Sequence, residues 1–292
     1  MPTLKDVKRK IGAVKKTQQI TKAMNMVAAA KLRGAQGKME NFRPYASKFA
    51  EVIGSLSAHL NVEAAPLLEQ REVKNVDVLL ITADRGLCGS FNINLINTAE
   101  KFLKAKAAEG LGTSLVCLGR KGRDYFRRRP VNMRAAHVDV MGRFDMSNAI
   151  TIAQDLAGNF LGRAVDEVYV ICAQFISMAV QRPITKKLLP ISPEELGGEE
   201  TAAGAAREYL YEPSPEQLIT SLLPTHVNVQ VYNAMLETAA SEHAARMRAM
   251  DNAQRNCKDL INSLTLMYNK ARQAGITKEL MDIVGGAEAL KK

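Results

Sequence analysis

Two long stretches of helical periodicity stand at opposite ends of this chain, and each carries an apolar stripe that only another long helix can cover. In residues 1–60, apolar positions recur at three- and four-residue steps through Leu4, Val7, Ile11, Val14, Ile20, Met24 and Val27. The stripe resumes on a shifted register through Leu32, Ala35, Met39, Phe42, Phe49, Val52 or Ile53, Leu56 and Leu60. The step from Val14 to Ile20 breaks a strict heptad and predicts a locally loosened supercoil. Pro2 and Thr3 suit a helix start, whereas Pro44 should kink or interrupt the helix.

The last 70 residues repeat the pattern. Ser214-Pro215-Glu216-Gln217 reads as a start signal, with Ser as N-cap, Pro at the first helical position and Gln closing a capping box. Pro224 should bend the helix beyond it. The stripe then runs through Val227, Val231, Met235, Thr238, Glu242, Ala245, Ala249 and Ala253, and on through Cys257, Leu260, Leu264, Met267, Ala271 and Ala274. Small residues dominate it, so helices can approach closely while burying little area per residue. Some 45–55 residues of helix at 1.5 Å each predict a rod of about 70–80 Å. The two ends should therefore meet as an antiparallel two-helix coiled coil (residues 1–60 with 210–292), with a Rossmann-like α/β domain inserted at 70–205.

The middle reads as that domain. Strands are predicted at Val76–Ala83, Ser114–Leu118, Ala136–Val140, Glu167–Phe175 and Thr185–Ile191. Helices are predicted at Asn92–Ala108, Arg120–Arg129 and Ser147–Gly162. Alternating elements with near-continuous apolar strands predict a largely parallel sheet. Residues 192–206, rich in Gly and Glu, read as a surface loop.

Charge is distributed unevenly over this plan. The chain carries a formal +10, and the first 38 residues hold ten basic residues against the single acid Asp6. A face so one-signed forgoes i,i+4 pairing and points to an acidic partner. At 47% hydrophobic and 24% charged, the composition is that of a globular protein. No run is long and apolar enough to span a membrane, and the N-terminus lacks the apolar stretch of a signal peptide. Cys88, Cys117, Cys172 and Cys257 are widely spaced without a CxxC pair, which favours reduced structural thiols in a reducing compartment.

Motifs for chemistry are weak. Ala83-Asp-Arg-Gly-Leu-Cys-Gly-Ser90 lies where a phosphate loop would sit, between a strand and a helix, yet it lacks Gly-Lys-Ser/Thr and the GxGxxG spacing. A tight turn needing glycine freedom is the plainer reading. Lys121-Gly-Arg123 and Arg127-Arg128-Arg129 are basic, with only Tyr125 and Phe126 as aromatic company. His59, His137, His226 and His243 match no metal spacing, and no nucleophile–base set can be assembled. Catalytic residues, cofactor and metal are therefore all expected to be absent. Two other classes stay open on residues alone: a nucleotide-binding α/β enzyme built on the Asp84–Gly89 turn, and a basic coiled-coil nucleic-acid binder.

Four blocks, in order and spanning the chain, carry a specific resemblance. They are Ile20-Thr-Lys-Ala-Met-Asn-Met-Val-Ala-Ala29, Thr82–Gly89 with Asn92-Ile-Asn94, Tyr209-Leu-Tyr-Glu-Pro213, and Tyr268–Leu280. Together they resemble the gamma subunit of bacterial F-type ATP synthase. The resemblance implies a non-catalytic rotor shaft that turns inside a hexamer of alpha and beta subunits. Its α/β domain would be bound by the epsilon subunit and the ring of c subunits, coupling proton flow to ATP synthesis or hydrolysis. It also implies a peripheral position on the cytoplasmic face of the bacterial inner membrane, with no nucleic acid bound and no direct membrane insertion. At matching positions it implies sleeve contacts by Lys22, Met24, Arg272, Gln273, Thr277 and Glu279, and less strongly by Arg33 and Lys10. No cysteine pair of the plant-chloroplast regulatory kind is present, so redox switching is not expected.

Overall fold

The computed structural model describes residues 3–57, 66–192 and 215–289. The Ser214 cap, the 192–206 loop beyond Ser192, the Tyr209–Pro213 block and His59 lie outside them. Helix α1 (Leu4–Ser57) leads through a short 3-10 turn (Pro66–Leu68) to β1 (Asn75–Ile81), α2 (Phe91–Ala108), β2 (Gly112–Leu118), α3 (Arg120–Phe126) and β3 (Asn132–His137). Helix α4 (Met146–Leu161), β4 (Glu167–Phe175), β5 (Gln181–Leu189) and α5 (Pro215–Ala289) complete the order. The chain divides into two compact units, Met1–Ala28 with Met247–Lys292, and Ala29–Arg246.

The larger unit is built on a five-stranded sheet of order β3-β2-β1-β4-β5. The first four strands run parallel and β5 returns antiparallel to β4. Strand β1 shows why the strands are apolar throughout. Its Val76, Val78 and Leu80 enter a core with α2 and α3, while Leu79 and Ile81 enter the opposite core with α4. Both faces are covered, so alternation disappears from the sequence.

One buried residue breaks the apolar run. Asp77, fully buried on β1, accepts from the Ser114 hydroxyl at 2.8 Å and from the Arg134 guanidinium at 2.7 Å. Arg134 in turn donates to Asp155 on α4 at 2.9 Å. A buried carboxylate is tolerable only when paired in this way.

In the same unit, later residues of α1 meet earlier residues of α5. Phe42 packs edge-on against Tyr232 with ring centroids 4.9 Å apart, and Phe49 stacks on His226 at 6.3 Å. The pairing is antiparallel. These contacts flank Pro44, through which α1 runs unbroken, contrary to the expected interruption. Pro44 is exposed, so the carbonyl that loses its donor can be hydrated, and the packing on either side holds the helix together. Helix α5 likewise continues through Pro224.

The smaller unit pairs the first half of α1 with the part of α5 from Met247 onward, more than half of that helix. Thr3 caps α1: its hydroxyl accepts from the Asp6 amide at 3.2 Å, and the Asp6 carboxylate accepts from the Thr3 amide at 3.3 Å. The covered positions on α1 are Val7, Ile11, Val14, Gln18, Thr21, Asn25 and Ala28, with Met24 half-buried beside them. Those steps of four and three form an unbroken heptad. Ile20 and Val27, which the apolar spacing puts in the stripe, are 60% and 57% exposed. The loosening expected after Val14 therefore does not arise, because polar residues fill the seam where the apolar ones drift off it.

Helix α5 shows a matching correction. Beyond Cys257 the covered positions are Ile261, Leu264 and Tyr268, whereas Leu260 and Met267 face solvent.

Boundaries move by one or two residues at β1 and β2 and by more at two other strands. Strand β3 covers Asn132–His137 rather than Ala136–Val140, because Asp139 adopts a left-handed backbone (φ 60°) and its amide turns to Asp84. Strand β5 begins at Gln181, opposite Phe175, because the hairpin pairs from its tip.

Candidate functional site

The Asp84–Gly89 turn follows β1 and opens α2, and its polar groups are engaged in holding the fold. Both Asp84 oxygens accept main-chain amides, from Arg120 at 3.0 Å, Asp139 at 2.9 Å and Met141 at 3.1 Å. Asn92 closes the turn, accepting from the Ala83 amide at 2.9 Å and donating to the Cys88 sulfur at 3.0 Å. Of the two glycines only Gly89 uses a left-handed backbone (φ 61°); the other left-handed position is Leu87 (φ 63°). With both of its oxygens bonded to main-chain amides of three separate positions, Asp84 makes the turn a structural clamp.

Helix α5 reaches this clamp. The Arg246 guanidinium donates to the carbonyls of Gly86 at 3.2 Å and Arg85 at 3.3 Å, and pairs with Glu242 one helical turn earlier at 2.7 Å. Burial pushes the Glu242 carboxyl above the usual range while Arg246 opposes it. Burial likewise raises the Cys88 thiol and lowers His243 to about 4. A cleft of about 400 Å³ opens here between Lys31, Asp84, Asp139, His243 and Arg246. Sequence reasoning does not single out Arg246 and Glu242 as a pair. Their i,i+4 spacing and opposite charge are legible, but the carbonyls that Arg246 binds, 160 and 161 positions away, are not.

The residues assigned to a partner surface are all displayed outward or at the seam edge. Lys22 and Arg33 on α1 are exposed, as is Lys10, and Met24 is half-buried beside the seam. Arg272, Gln273, Thr277 and Glu279 on α5 are all exposed. The structure brings these last four together on one short stretch of helix. From Asn269 to Ala287 every residue is exposed except Gly275, which is half-buried. That stretch still carries Ile276, Leu280, Met281, Ile283 and Val284, all large and apolar. Seven cations of the first 28 residues, from Lys5 to Lys22, are also exposed, and none has an ion-pair partner among the described residues.

Three buried cysteines and the half-buried Cys257 are free thiols. Among the described residues no group of three or more His, Cys, Asp or Glu could hold a metal ion, and no helix is long and apolar enough to cross a membrane.

Two terminal helices paired antiparallel around an inserted α/β domain, with an apolar helix end left uncovered, define a coiled-coil subunit of a larger assembly. The family profile described as ATP synthase matches residues 3–290. The ATP synthase gamma chain of Desulfotalea psychrophila is 54% identical over 294 residues, and that of Syntrophobacter fumaroxidans 55% over 296, each alignment covering both chains in full. A chain in the central stalk and c-ring structure of Tetrahymena thermophila mitochondrial ATP synthase superposes with a TM-score of 0.58 at 26% identity, covering 80% of this chain and 99% of that one. A chain of the Euglena gracilis mitochondrial ATP synthase shares the fold, with a TM-score of 0.69 at 21% identity, covering 98% and 94%. The chain belongs to the ATP synthase gamma-chain family.

Proposed function

We propose that this chain is the non-catalytic rotor shaft of a bacterial ATP synthase. The paired α1 and α5 helices turn inside a hexamer of alpha and beta subunits. The α/β domain is held by the epsilon subunit and the ring of c subunits, on the cytoplasmic face of the inner membrane. In this reading residues 1–60 and 210–292 act as the shaft and 70–205 as its base.

The observation that carries the reading is the uncovered end of α5. A helix exposing five large apolar side chains between Ile276 and Val284 presents the kind of surface that other chains cover. Arg272, Gln273, Thr277 and Glu279 are interspersed along the same stretch and supply polar contacts to that sleeve. Lys22, Met24 and Arg33 meet beta-subunit loops, and the unpaired cations of α1 match acidic loops in sign. The clamp role of Asp84 supports a chain that transmits force and performs no chemistry.

The test is reconstitution. Alpha and beta subunits are mixed with this chain, and a bead is attached through a cysteine introduced on the α/β domain. ATP-driven rotation of the bead, together with hydrolysis that needs the chain, is the expected result. Hydrolysis with a stationary bead would sink the rotor reading.

A further inference from the structure

The basic run along and just beyond α3 has no part in the shaft, yet it surrounds a cleft of its own. Between α3 and the first turns of α2 lies a concave space of about 980 Å³, lined by Lys121, Arg127, Arg128 and Arg129 among others. That volume lies in the range of small-molecule sites, roughly 300–1,000 Å³.

The four cations are only partly neutralised locally, Lys121 by Asp124 and Arg129 by Glu100. Asp124 also lines the cleft, but its carboxylate is held by the Arg123 guanidinium at 2.6 Å. Glu100, the next acid, accepts from the Tyr125 hydroxyl at 2.7 Å and pairs with Lys104 at 2.9 Å. Lys121, Arg127 and Arg128 make no side-chain hydrogen bond or ion pair among the described residues, and only Lys121 lies within the electrostatic reach of Asp124. Arg129 is pinned instead, its guanidinium 3.4 Å from the centroid of the Tyr125 ring and 3.2 Å from the Tyr125 carbonyl. A guanidinium fixed on an aromatic face keeps its remaining donors in a planar fork, the geometry that grips phosphate oxygens in pairs.

We propose that this cleft binds a diphosphate group. Four cations gathered with so little counter-charge repel one another, and a ligand carrying several negative charges within a few ångströms relieves that repulsion. A single carboxylate leaves most of that repulsion in place. Ile93 and Ile96 also line the cleft and give apolar contact to whatever carries the diphosphate. The two sources of this chemistry are inorganic pyrophosphate and a nucleoside diphosphate. The site is separate from the shaft contacts and does not depend on them.

The test is titration calorimetry of the full-length chain with pyrophosphate, ADP and AMP at about 150 mM salt, where weak surface attraction is screened. One diphosphate per chain is expected, with AMP at least ten-fold weaker than ADP. Arg127→Gln combined with Arg128→Gln should weaken binding ten-fold or more, while Lys48→Gln on α1 leaves it unchanged. ADP much tighter than pyrophosphate assigns a nucleotide as the carrier, and equal affinities assign free diphosphate; either supports the site. If the double variant melts earlier than the parent, Arg129→Lys keeps the charge and removes the fork; a three-fold loss then supports the site and no loss overturns it. Absence of binding, AMP equal to ADP, an unaffected double variant, or capture only by phosphatidylglycerol vesicles or by an acidic peptide overturns the proposal.

Discussion

The side-chain amide of Asn25 on α1 donates to the main-chain carbonyl of Met247 on α5 at 2.9 Å, joining residues 222 positions apart. Asn25 occupies a seam position of the coiled coil, as do Gln18 and Thr21, where an apolar residue would pack more area. A polar residue in a seam lowers stability but fixes register, because its bond is satisfied in only one alignment. The Thr21 hydroxyl is satisfied within its own helix, by the Gln18 carbonyl at 3.0 Å, so it adds nothing across the seam.

These two roles separate by mutation. Asn25→Ala should destabilise the chain by about 1 kcal/mol, the net worth of one hydrogen bond. Thr21→Val should be neutral or stabilising by up to about 1 kcal/mol, because it removes a buried hydroxyl and keeps the shape. Urea unfolding of both variants checks this; equal losses would mean that Thr21 also fixes the register.

Buried imidazoles make stability depend on pH. Burial, with Lys186 adding to it, lowers His226 from 6.5 to about 4, and its Nδ1 has no hydrogen-bond partner. The folded state therefore binds the proton less readily than the unfolded chain. The stability that His226 contributes in neutral form is complete above pH 6.5 and is lost as pH falls toward 4. The full shift corresponds to about 3 kcal/mol. His243, lowered to about 4 by burial with Arg246 and Lys31 nearby, acts in the same direction. Unfolding free energy measured from pH 7.5 to 4 should fall, and His226→Leu should flatten part of that fall. An unchanged slope in the variant would contradict the assignment.

Two glycines should respond in opposite directions. Gly119 has φ 106°, and a Cβ built there stands 2.1 Å from the Thr82 carbonyl oxygen. Gly119→Ala should cost more than about 3 kcal/mol or prevent folding, since both the backbone conformation and the space forbid a side chain. Gly34 lies inside α1 with nothing within 4 Å of an added Cβ. Gly34→Ala should stabilise by about 1 kcal/mol through helix propensity. Thermal melts of the two variants decide the matter.

The proposed sleeve residues predict a separation of stability from function. Arg272, Gln273 and Thr277 are exposed, so alanine at each should change the stability of the free chain by less than about 0.5 kcal/mol. In the assembled complex the triple variant should lower ATP hydrolysis several-fold. Met24→Lys should keep hydrolysis while weakening its coupling to proton pumping. An assembled triple variant with full activity would remove these residues from the contact surface.

Much of this fold is legible because local chemistry dictates it. The apolar run of β4 gives its true bounds, Glu167–Phe175, since the run is closed at both ends. The helical ends are legible from spacing, and α5 starts at Pro215 as its start signal predicts. The seam register is not. Hydrophobic counting follows Ile20, Val27, Leu260 and Met267, whereas the structure covers Gln18, Thr21, Asn25, Ile261 and Tyr268. A polar residue reads as surface until its partner is known. The sleeve assignments rest on family resemblance, because an exposed Arg272 or Gln273 looks like any polar helix face.

The sequence by itself determined the plan of two terminal helices around an α/β domain, along with the basic bias of the first helix. Those properties arise from residues within a turn or two of each other. Tertiary structure alone decided that Asp84 gathers three amides from α3 and the segment after β3, that Arg246 caps the carbonyls of the turn, and that Arg134 neutralises Asp77. Each joins groups tens to more than a hundred residues apart. The strength of such a bond depends on distance and burial, which no local pattern encodes.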